Sequence, residues 1–337
     1  MAPREALVAF QYGTGVKGKG QLEEGLRVLK QPRGIHVSAN GSLLVADYAL
    51  NCVYRFGPSD ARGKLVAGEA GKVLPTVDPF KDIDKPLAPP DGEGILLRQP
   101  GDVIEDEAGC VFVLDTDLAR VQRFGTCPDG LASGSQVLPG GSFATHKSAH
   151  DPQVIKNPRG LLQASDGGFV VVDTWSHRIL RYAPGATDQP TVLAGTPNSC
   201  GSKPEQLSFP SAAVFNADGS LLVADTNNHR VQLFEPGSLV GRTVAGSATG
   251  NQGDSLSELN MPTGIAVDSK DGSFLVTDRG NSRVLRFVAG CSAGDSGEVI
   301  AGPELVESPW GVAVDASGAV FVSDERRAVV LKLETAS

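Results

Sequence analysis

Four polar residues interrupt segments that are otherwise mostly apolar or small: His36, Asp102, Glu105 and Gln163. An imidazole and two carboxylates can hold zinc or calcium, and a bound metal activates water or polarises a carbonyl. Such a set would support a metal-dependent lyase or a lactonase-like hydrolase. The alternative is that each polar group is satisfied by its own surroundings or by water.

A second group of candidate residues combines cations with aromatic side chains: Arg33, Arg159, Trp175 and Trp310. Arginine and tryptophan are enriched where a few side chains dominate binding to another protein. Together the two groups make eight candidate ligand-binding residues. For each of the arginines and tryptophans, a place on a solvated rim is the competing interpretation.

Two short motifs match unrelated chemistry. Residues 13–18 fit the dinucleotide pattern Gly-x-Gly-x-x-Gly and residues 13–20 nearly spell a phosphate loop, but no βαβ unit follows. Residues 290–294 fit the hydrolase pattern Gly-x-Ser-x-Gly, yet they link two predicted strands instead of a strand and a helix. We interpret both as loops and predict no catalytic residues.

The elements that position these residues come from a repeat. A proline, any residue and a small residue open a hairpin of strands six times, at Pro32, Pro100, Pro158, Pro210, Pro262 and Pro309. Thirteen or fourteen residues past the third position of this anchor stand Asp47, Asp115, Asp173, Asp225, Asp278 and Asp324. Turn pairs such as Asn40-Gly41 and Asp218-Gly219 indicate tight hairpins between the first two strands.

Six copies of about four strands predict an all-β fold, a six-bladed β-propeller of four-stranded antiparallel blades. We take residues 1–337 as one domain with blades that begin near 32, 100, 158, 210, 262 and 309. The last copy lacks a fourth strand. We expect residues 7–10 to complete it, so that the N-terminal strand joins the C-terminal blade and covers the open edges.

The repeated aspartates could form a ring of carboxylates, but we expect them to be structural. Aspartate at the end of a strand commonly accepts hydrogen bonds from the backbone of the next loop. Arg120, Arg178, Arg230 and Arg283 lie five residues after their aspartates, where charge-assisted bonds are expected. His177 and His229 recur beside two of these arginines and are interpreted as part of the repeat.

The segments Leu222–Phe234 and Leu275–Phe287 closely resemble the NHL repeat family. The resemblance implies the propeller fold but not one activity, because similar propellers occur in RNA-binding tripartite-motif proteins, sensor kinases, redox-linked scaffolds and an amidating lyase. The lyase resemblance implies a zinc-binding histidine directly after a proline anchor. None of the six positions directly after a proline anchor is histidine; they hold Arg33, Gly101, Arg159, Ser211, Thr263 and Trp310.

Charge and cysteine content narrow the partners. The net charge of −9 disfavours nucleic acid, although Arg33, Arg159, Arg279, Arg326 and Arg327 keep RNA as a third possibility. Five scattered cysteines without a Cys-x-x-Cys pair suggest free thiols in a reducing compartment, and we expect a cytoplasmic monomer. No apolar run is long enough to span a membrane.

These observations favour a non-catalytic binding module without a cofactor, whose partner is a protein or peptide. The proposed contact face is the one with the long insertions, residues 69–99 and 141–157, the second of which holds His146 and His150. Long loops on a rigid scaffold commonly carry binding residues. Zinc or calcium would enter only under the enzyme alternative.

Overall fold

The computed structural model describes residues 7–12, 29–60, 62–72, 96–125, 127, 133–138, 154–186 and 189–334. Within these ranges, 24 strands form six four-stranded antiparallel sheets. The prediction of an all-β, six-bladed propeller is confirmed. The glycine-rich residues 13–20, most of the two long insertions, and His146 and His150 lie outside the described residues.

The blades follow the chain in order, and in each the first strand lies next to the central axis. Blade 1 has β2 (Pro32–Val37), β3 (Leu43–Asp47), β4 (Cys52–Phe56) and β5 (Lys64–Gly68), and blade 2 has β6 (Pro100–Glu105), β7 (Val111–Asp115), β8 (Arg120–Phe124) and β9 (Ser135–Leu138). Blade 3 has β10 (Gly160–Gln163), β11 (Phe169–Asp173), β12 (Arg178–Tyr182) and β13 (Thr191–Ala194).

The remaining blades have the same order of strands. Blade 4 has β14 (Ala212–Phe215), β15 (Leu221–Asp225), β16 (Arg230–Phe234) and β17 (Arg242–Gly246), and blade 5 has β18 (Pro262–Val267), β19 (Phe274–Asp278), β20 (Arg283–Phe287) and β21 (Glu298–Ala301). Blade 6 has β22 (Pro309–Val314), β23 (Val320–Asp324) and β24 (Val329–Glu334), together with β1 (Leu7–Tyr12). Short 3₁₀ turns follow the second strand at Thr174–Ser176, Thr226–Asn228 and Arg279–Asn281.

The second strand of each blade is the most completely buried element. Runs such as Leu43–Asp47 and Leu221–Asp225 have no exposed residue, because they are covered by their own sheet and by the blades on both sides. Apolar side chains of neighbouring blades form the shared cores. One core combines Leu222 and Val231 of blade 4 with Val276 and Leu285 of blade 5.

The six repeated aspartates fix the link that leads into each innermost strand. Each carboxylate accepts, at 2.6 Å, the amide N–H of a residue 17 or 18 positions earlier in the chain. In blades 2 to 5 it also accepts the guanidinium Nε–H of the arginine five residues later, at 2.7–2.9 Å. The structural role predicted for these aspartates and arginines is confirmed.

Hydroxyl groups join several of the blades to the next near the axis. Thr116 donates to the carbonyl of Pro158 at 2.8 Å, and Thr226 donates to that of Pro262 at 2.8 Å. His177 and His229 also connect blades, since their Nδ1 atoms accept the amides of Phe209 and Met261 at 3.1 Å; the interpretation of both histidines as part of the repeat is confirmed.

The N-terminal strand β1 pairs antiparallel with β24, from Leu7 opposite Glu334 to Tyr12 opposite Val330. The buried Tyr12 also reaches blade 1, where its ring lies 5.6 Å from that of Phe56 and its hydroxyl donates to the carbonyl of Pro58 at 3.0 Å. That this strand is what closes the ring remains a prediction.

One pair of cysteines differs from the prediction made from the sequence. The expectation of free thiols is wrong for Cys110 and Cys127, which form a disulfide between the residue before β7 and the loop after β8. Spacing could not indicate this pair, because the hairpin of β7 and β8 brings together two cysteines that lie 17 residues apart. The described residues include no helix of the length and apolar character needed to cross a membrane.

We predict that deletion of residues 1–12 sharply lowers the unfolding temperature, because β24 loses its partner strand and the core loses Tyr12. The deletion of residues 1–5, which leaves β1 intact, is the control. Thermal unfolding followed by circular dichroism measures both. An unchanged midpoint for the longer deletion would contradict closure by β1.

We predict that Thr277→Val costs roughly 1–3 kcal/mol of unfolding free energy, because it leaves buried partners unpaired. The Thr277 hydroxyl accepts the amide N–H of Gly264 at 2.6 Å and donates to the carbonyl of Trp310 in the next blade at 2.8 Å. Urea denaturation gives the value. The exposed Thr191→Val is the control, and equal effects of the two substitutions would argue against a role for the inter-blade bond.

Candidate functional site

The innermost strands surround a central cavity of about 320 Å³ that is lined by all six blades. We call the end where these strands begin the upper mouth and the end where they finish the lower mouth. A strand rises about 3.3 Å per residue, so Arg33 and His36 of β2 are separated by roughly 10 Å along the axis. Six of the eight candidate residues line this cavity, at different heights along the axis.

The lower mouth holds His36, Glu105 and Gln163, near the ends of β2, β6 and β10. Arg55 of β4 donates to both carboxylate oxygens of Glu105, with an Nη1–Oε2 distance of 3.1 Å. Burial raises the pKa of Glu105, but the hydrogen bonds and charge of Arg55 outweigh it and bring the pKa below its usual value. Burial lowers the pKa of His36, which favours the neutral imidazole.

Asp102 lies between the two mouths and connects two blades. Its Oδ1 accepts the amide of Val103 at 2.9 Å and its Oδ2 accepts that of Leu161, in blade 3, at 2.8 Å. The contact with blade 1 is equally close, because a Cβ on Gly34 would lie 2.2 Å from Oδ1. Burial raises the pKa of Asp102 to about 7, against the effect of these two N–H groups.

These contacts do not fit a zinc or calcium centre. Asp102 uses its oxygens on backbone amides and Glu105 uses its oxygens on Arg55. Nowhere among the described residues do three or more His, Cys, Asp or Glu side chains converge in a way that could hold a metal ion. We therefore derive no chemistry from a metal at this position.

The upper mouth is built around Trp310, which is only 8% exposed. Three guanidiniums surround its ring, with centroid distances of 4.3 Å for Arg33, 5.0 Å for Arg279 and 5.6 Å for Arg159. Cations within about 6 Å of an aromatic face are attracted by the ring quadrupole. We call Arg33, Arg159 and Arg279 the arginine cluster.

One carboxylate compensates two members of the cluster. Glu325 accepts Arg33 Nε at 2.7 Å through Oε1 and Arg279 Nη2 at 2.9 Å through Oε2. Gln31 also donates to Oε1 at 2.9 Å. The guanidinium of Arg33 is further enclosed by Tyr48, whose ring centroid lies 3.4 Å away.

Arg159 is the uncompensated member. Its guanidinium makes no hydrogen bond or ion pair with any side chain or carbonyl in the described part of the chain, and the residue is half-buried. Burial lowers the pKa of Arg159, and the positive charges of Arg33 and Arg279 lower it further, against the opposing effects of Tyr48 and the Glu325 carboxylate. Among the described residues, the cluster thus has three guanidiniums and one carboxylate in contact with them.

The other candidates on this face lie farther from the axis. Trp175, in the 3₁₀ turn after β11, is 48% exposed. Arg326 pairs with Glu307 at 3.1 Å, and Arg327 donates to the carbonyls of Leu305 and Glu304 at 2.5 and 3.1 Å. The two C-terminal arginines therefore have partners within their own blade, which differs from the continuous cationic patch that RNA binding requires.

Glu325 is a site residue that the sequence analysis missed. It directly follows a repeated aspartate, and this position holds Tyr48, Thr116, Thr174, Thr226, Arg279 and Glu325 in the six blades. Together with the residue after each proline anchor, it supplies the cluster and its aromatic and acidic partners. Comparing that register across the repeats would have found Glu325.

Comparison with known proteins identifies the repeat. Residues 207–234 and 259–287 match the NHL repeat. Protein brain tumor of Drosophila melanogaster is 31% identical over 119 residues, which cover 35% of this chain and 10% of that protein. Protein SUPPRESSOR OF QUENCHING 1, chloroplastic, of Arabidopsis thaliana is 30% identical over 138 residues, 37% of this chain and 12% of that protein. The matched region thus spans about a tenth of these relatives.

Solved structures share the fold at low identity. A streptogramin B lyase is similar with a TM-score of 0.56 and 13% identity, over 97% of this chain and 97% of that one. A putative gluconolactonase gives 0.60 and 12% identity, over 99% and 93% of the two chains. At these identities the likeness extends to the propeller architecture alone.

We predict that wild type loses stability relative to Asp102→Asn as the pH rises from about 4 to about 7. The pKa of Asp102 is raised from 3.8 to about 7 on folding, so the native state binds more protons than the unfolded state in this interval. The asparagine cannot titrate, whatever constant difference in stability it introduces. Urea denaturation of both proteins across this range measures the effect, and parallel pH profiles would contradict it.

Proposed function

We propose that this chain, which carries NHL repeats in a six-bladed β-propeller, is a binding module whose upper face takes a protein or peptide partner. Arg33, Arg159 and Trp310 would contact the partner at the axis, and Trp175 would contact it at the rim. We further propose that the module acts as a monomer in the cytoplasm.

The observation that supports this proposal is the arginine cluster around Trp310. Interface centres that dominate binding combine tryptophan and arginine in desolvated positions, and the upper mouth has three arginines whose guanidiniums lie within 6 Å of one tryptophan ring. The surrounding strands are fixed by hydrogen bonds between blades, so the cluster is held in place before a partner arrives. Preorganisation of this kind lowers the entropic cost of binding.

The alternatives receive less support from the same residues. A metal-dependent lyase or lactonase would need His36, Asp102 and Glu105 to converge, whereas Glu105 and Asp102 already bind Arg55 and backbone amides. RNA binding would need a basic track that extends beyond the axis, and the net charge of −9 opposes it.

The test is a selection of random twelve-residue peptides against the immobilised full chain, followed by affinity measurements with variants. We predict that Trp175→Ala lowers the affinity for the selected peptides by about tenfold or more, because an exposed tryptophan at an interface supplies large contact area. Val288→Ala is the control, since Val288 is 71% exposed in the hairpin between β20 and β21 at the opposite face.

Isothermal titration calorimetry would measure each affinity. Peptides that respond to Val288→Ala and not to Trp175→Ala would place binding on the lower face and contradict the proposal. A failure to select any peptide, together with single-stranded RNA binding whose affinity falls steeply with salt, would favour the nucleic-acid alternative.

A further inference from the structure

We infer that Arg159 is the seat of a carboxylate group that belongs to the bound partner. This inference rests on the proposed function and adds the chemistry of the ligand: an acidic side chain or a C-terminal carboxylate, bound at the upper mouth of the central cavity.

The position of Arg159 on the ring directs its side chain across the axis. Arg159 precedes β10 in blade 3, whereas Trp310 belongs to blade 6, on the opposite side of the six-bladed ring. The guanidinium nevertheless lies 5.6 Å from the Trp310 ring. The equivalent positions of blades 2 and 4 hold the small residues Gly101 and Ser211, which line the same cavity.

The charge balance of the mouth calls for one more anion. Arg33 and Arg279 share Glu325, while Arg159 lies beside them with no anion of its own among the described residues. Holding like charges together in a half-buried site costs free energy, and an anionic ligand would relieve that cost when it binds. A cation or a neutral ligand would not relieve this repulsion.

The molecule already shows how this site treats a carboxylate. Glu325 is 6% exposed and places one oxygen on each of two arginines, at 2.7 and 2.9 Å, beside the Trp310 ring. A planar carboxylate matches the two parallel N–H groups of a guanidinium, and such charge-assisted bonds are among the strongest that side chains make. A ligand carboxylate on Arg159 would make the same kind of charge-assisted bond, with one guanidinium instead of two.

A carboxylate fits better than the phosphates of a nucleic acid. The excess of charge is confined to one recessed mouth, whereas a nucleic-acid backbone presents a row of phosphates to a surface with a net charge of −9. Further arginines on this face, Arg98, Arg326 and Arg327, are engaged by Asp117, by Glu307 and by main-chain carbonyls respectively. One isolated anionic group is what the mouth accommodates.

The test uses Arg159→Gln and the matched control Arg181→Gln, which removes the same charge from the same blade. Arg181 pairs with Asp166 near the lower face, far from the cluster. The probes are the selected peptides, each made with a free or an amidated C-terminus and with Asp and Glu replaced by Asn and Gln. The two kinds of replacement distinguish a terminal carboxylate from a side-chain carboxylate.

We expect Arg159→Gln to weaken binding by about tenfold or more and Arg181→Gln by less than about twofold. On wild type, one of the carboxylate-to-amide changes should cost a similar factor. On Arg159→Gln the same change should cost nothing further, because the interaction is already lost. Without ligand, the unfolding temperature of Arg159→Gln should stay within about 2 °C of wild type, since the substitution removes no side-chain hydrogen bond or ion pair with a described residue.

The inference is overturned if the carboxylate-to-amide change costs as much in Arg159→Gln as in wild type while Trp175→Ala still weakens the peptides. In that case the upper face still binds the peptides, but Arg159 does not bind their carboxylate. A clear drop in the unfolding temperature of unliganded Arg159→Gln would assign the arginine a structural role and overturn it too. Arg159-dependent binding of an RNA oligonucleotide in preference to every peptide would assign the seat to phosphate.

Discussion

The hydrogen bond between each buried repeat aspartate and the link ahead of its own blade governs the rest of the structure. Asp47 holds the amide of Lys30, Asp173 that of Lys156, and Asp324 that of Glu307, each at 2.6 Å. The residues held in this way stand three positions before Arg33, Arg159 and Trp310. A buried carboxylate costs free energy unless its oxygens are satisfied, so the link cannot move away without a penalty. The same bond that shapes each blade therefore positions the upper mouth.

The molecule uses arginine in two opposite ways. Arg178 and Arg230 are almost completely buried, and each meets its aspartate and then the carbonyls of the link, so that every charge has a counterpart. At the upper mouth, by contrast, Arg159 and its neighbours face the cavity with fewer anions than cations. Buried charges that are fully paired stabilise one conformation, whereas unbalanced charges at a cavity favour association with an oppositely charged group. Paired arginines therefore belong to the scaffold of the propeller, and the arginines at the upper mouth belong to the candidate site.

The sequence was sufficient for the fold because each copy of the repeat carries its own anchors, turns and aspartate, and these local signals agree with the global closure of a ring. It was insufficient for the site, which depends on side chains from different blades. Arg33 and His36 look like neighbours in the chain, but an extended strand sends them to opposite mouths. Glu325 looked like an ordinary acidic residue, and its role appears only when the ring brings it to Arg33. The Cys110–Cys127 bond was hidden for the same reason, since a hairpin creates it.

The contact between Arg33 and Glu325 joins residues 292 positions apart, and Ser323 of the last blade donates to the carbonyl of Arg33 at 2.6 Å. The upper mouth thus straddles the place where the beginning and the end of the chain meet. A ligand that touches both sides would act as a clasp across this junction, and it would add RT ln(1 + [L]/Kd) to the work needed to pull the ring apart. Binding at the mouth and opening of the propeller are then thermodynamically linked. A bound partner would lower the population of opened propeller and so protect the chain from proteolysis.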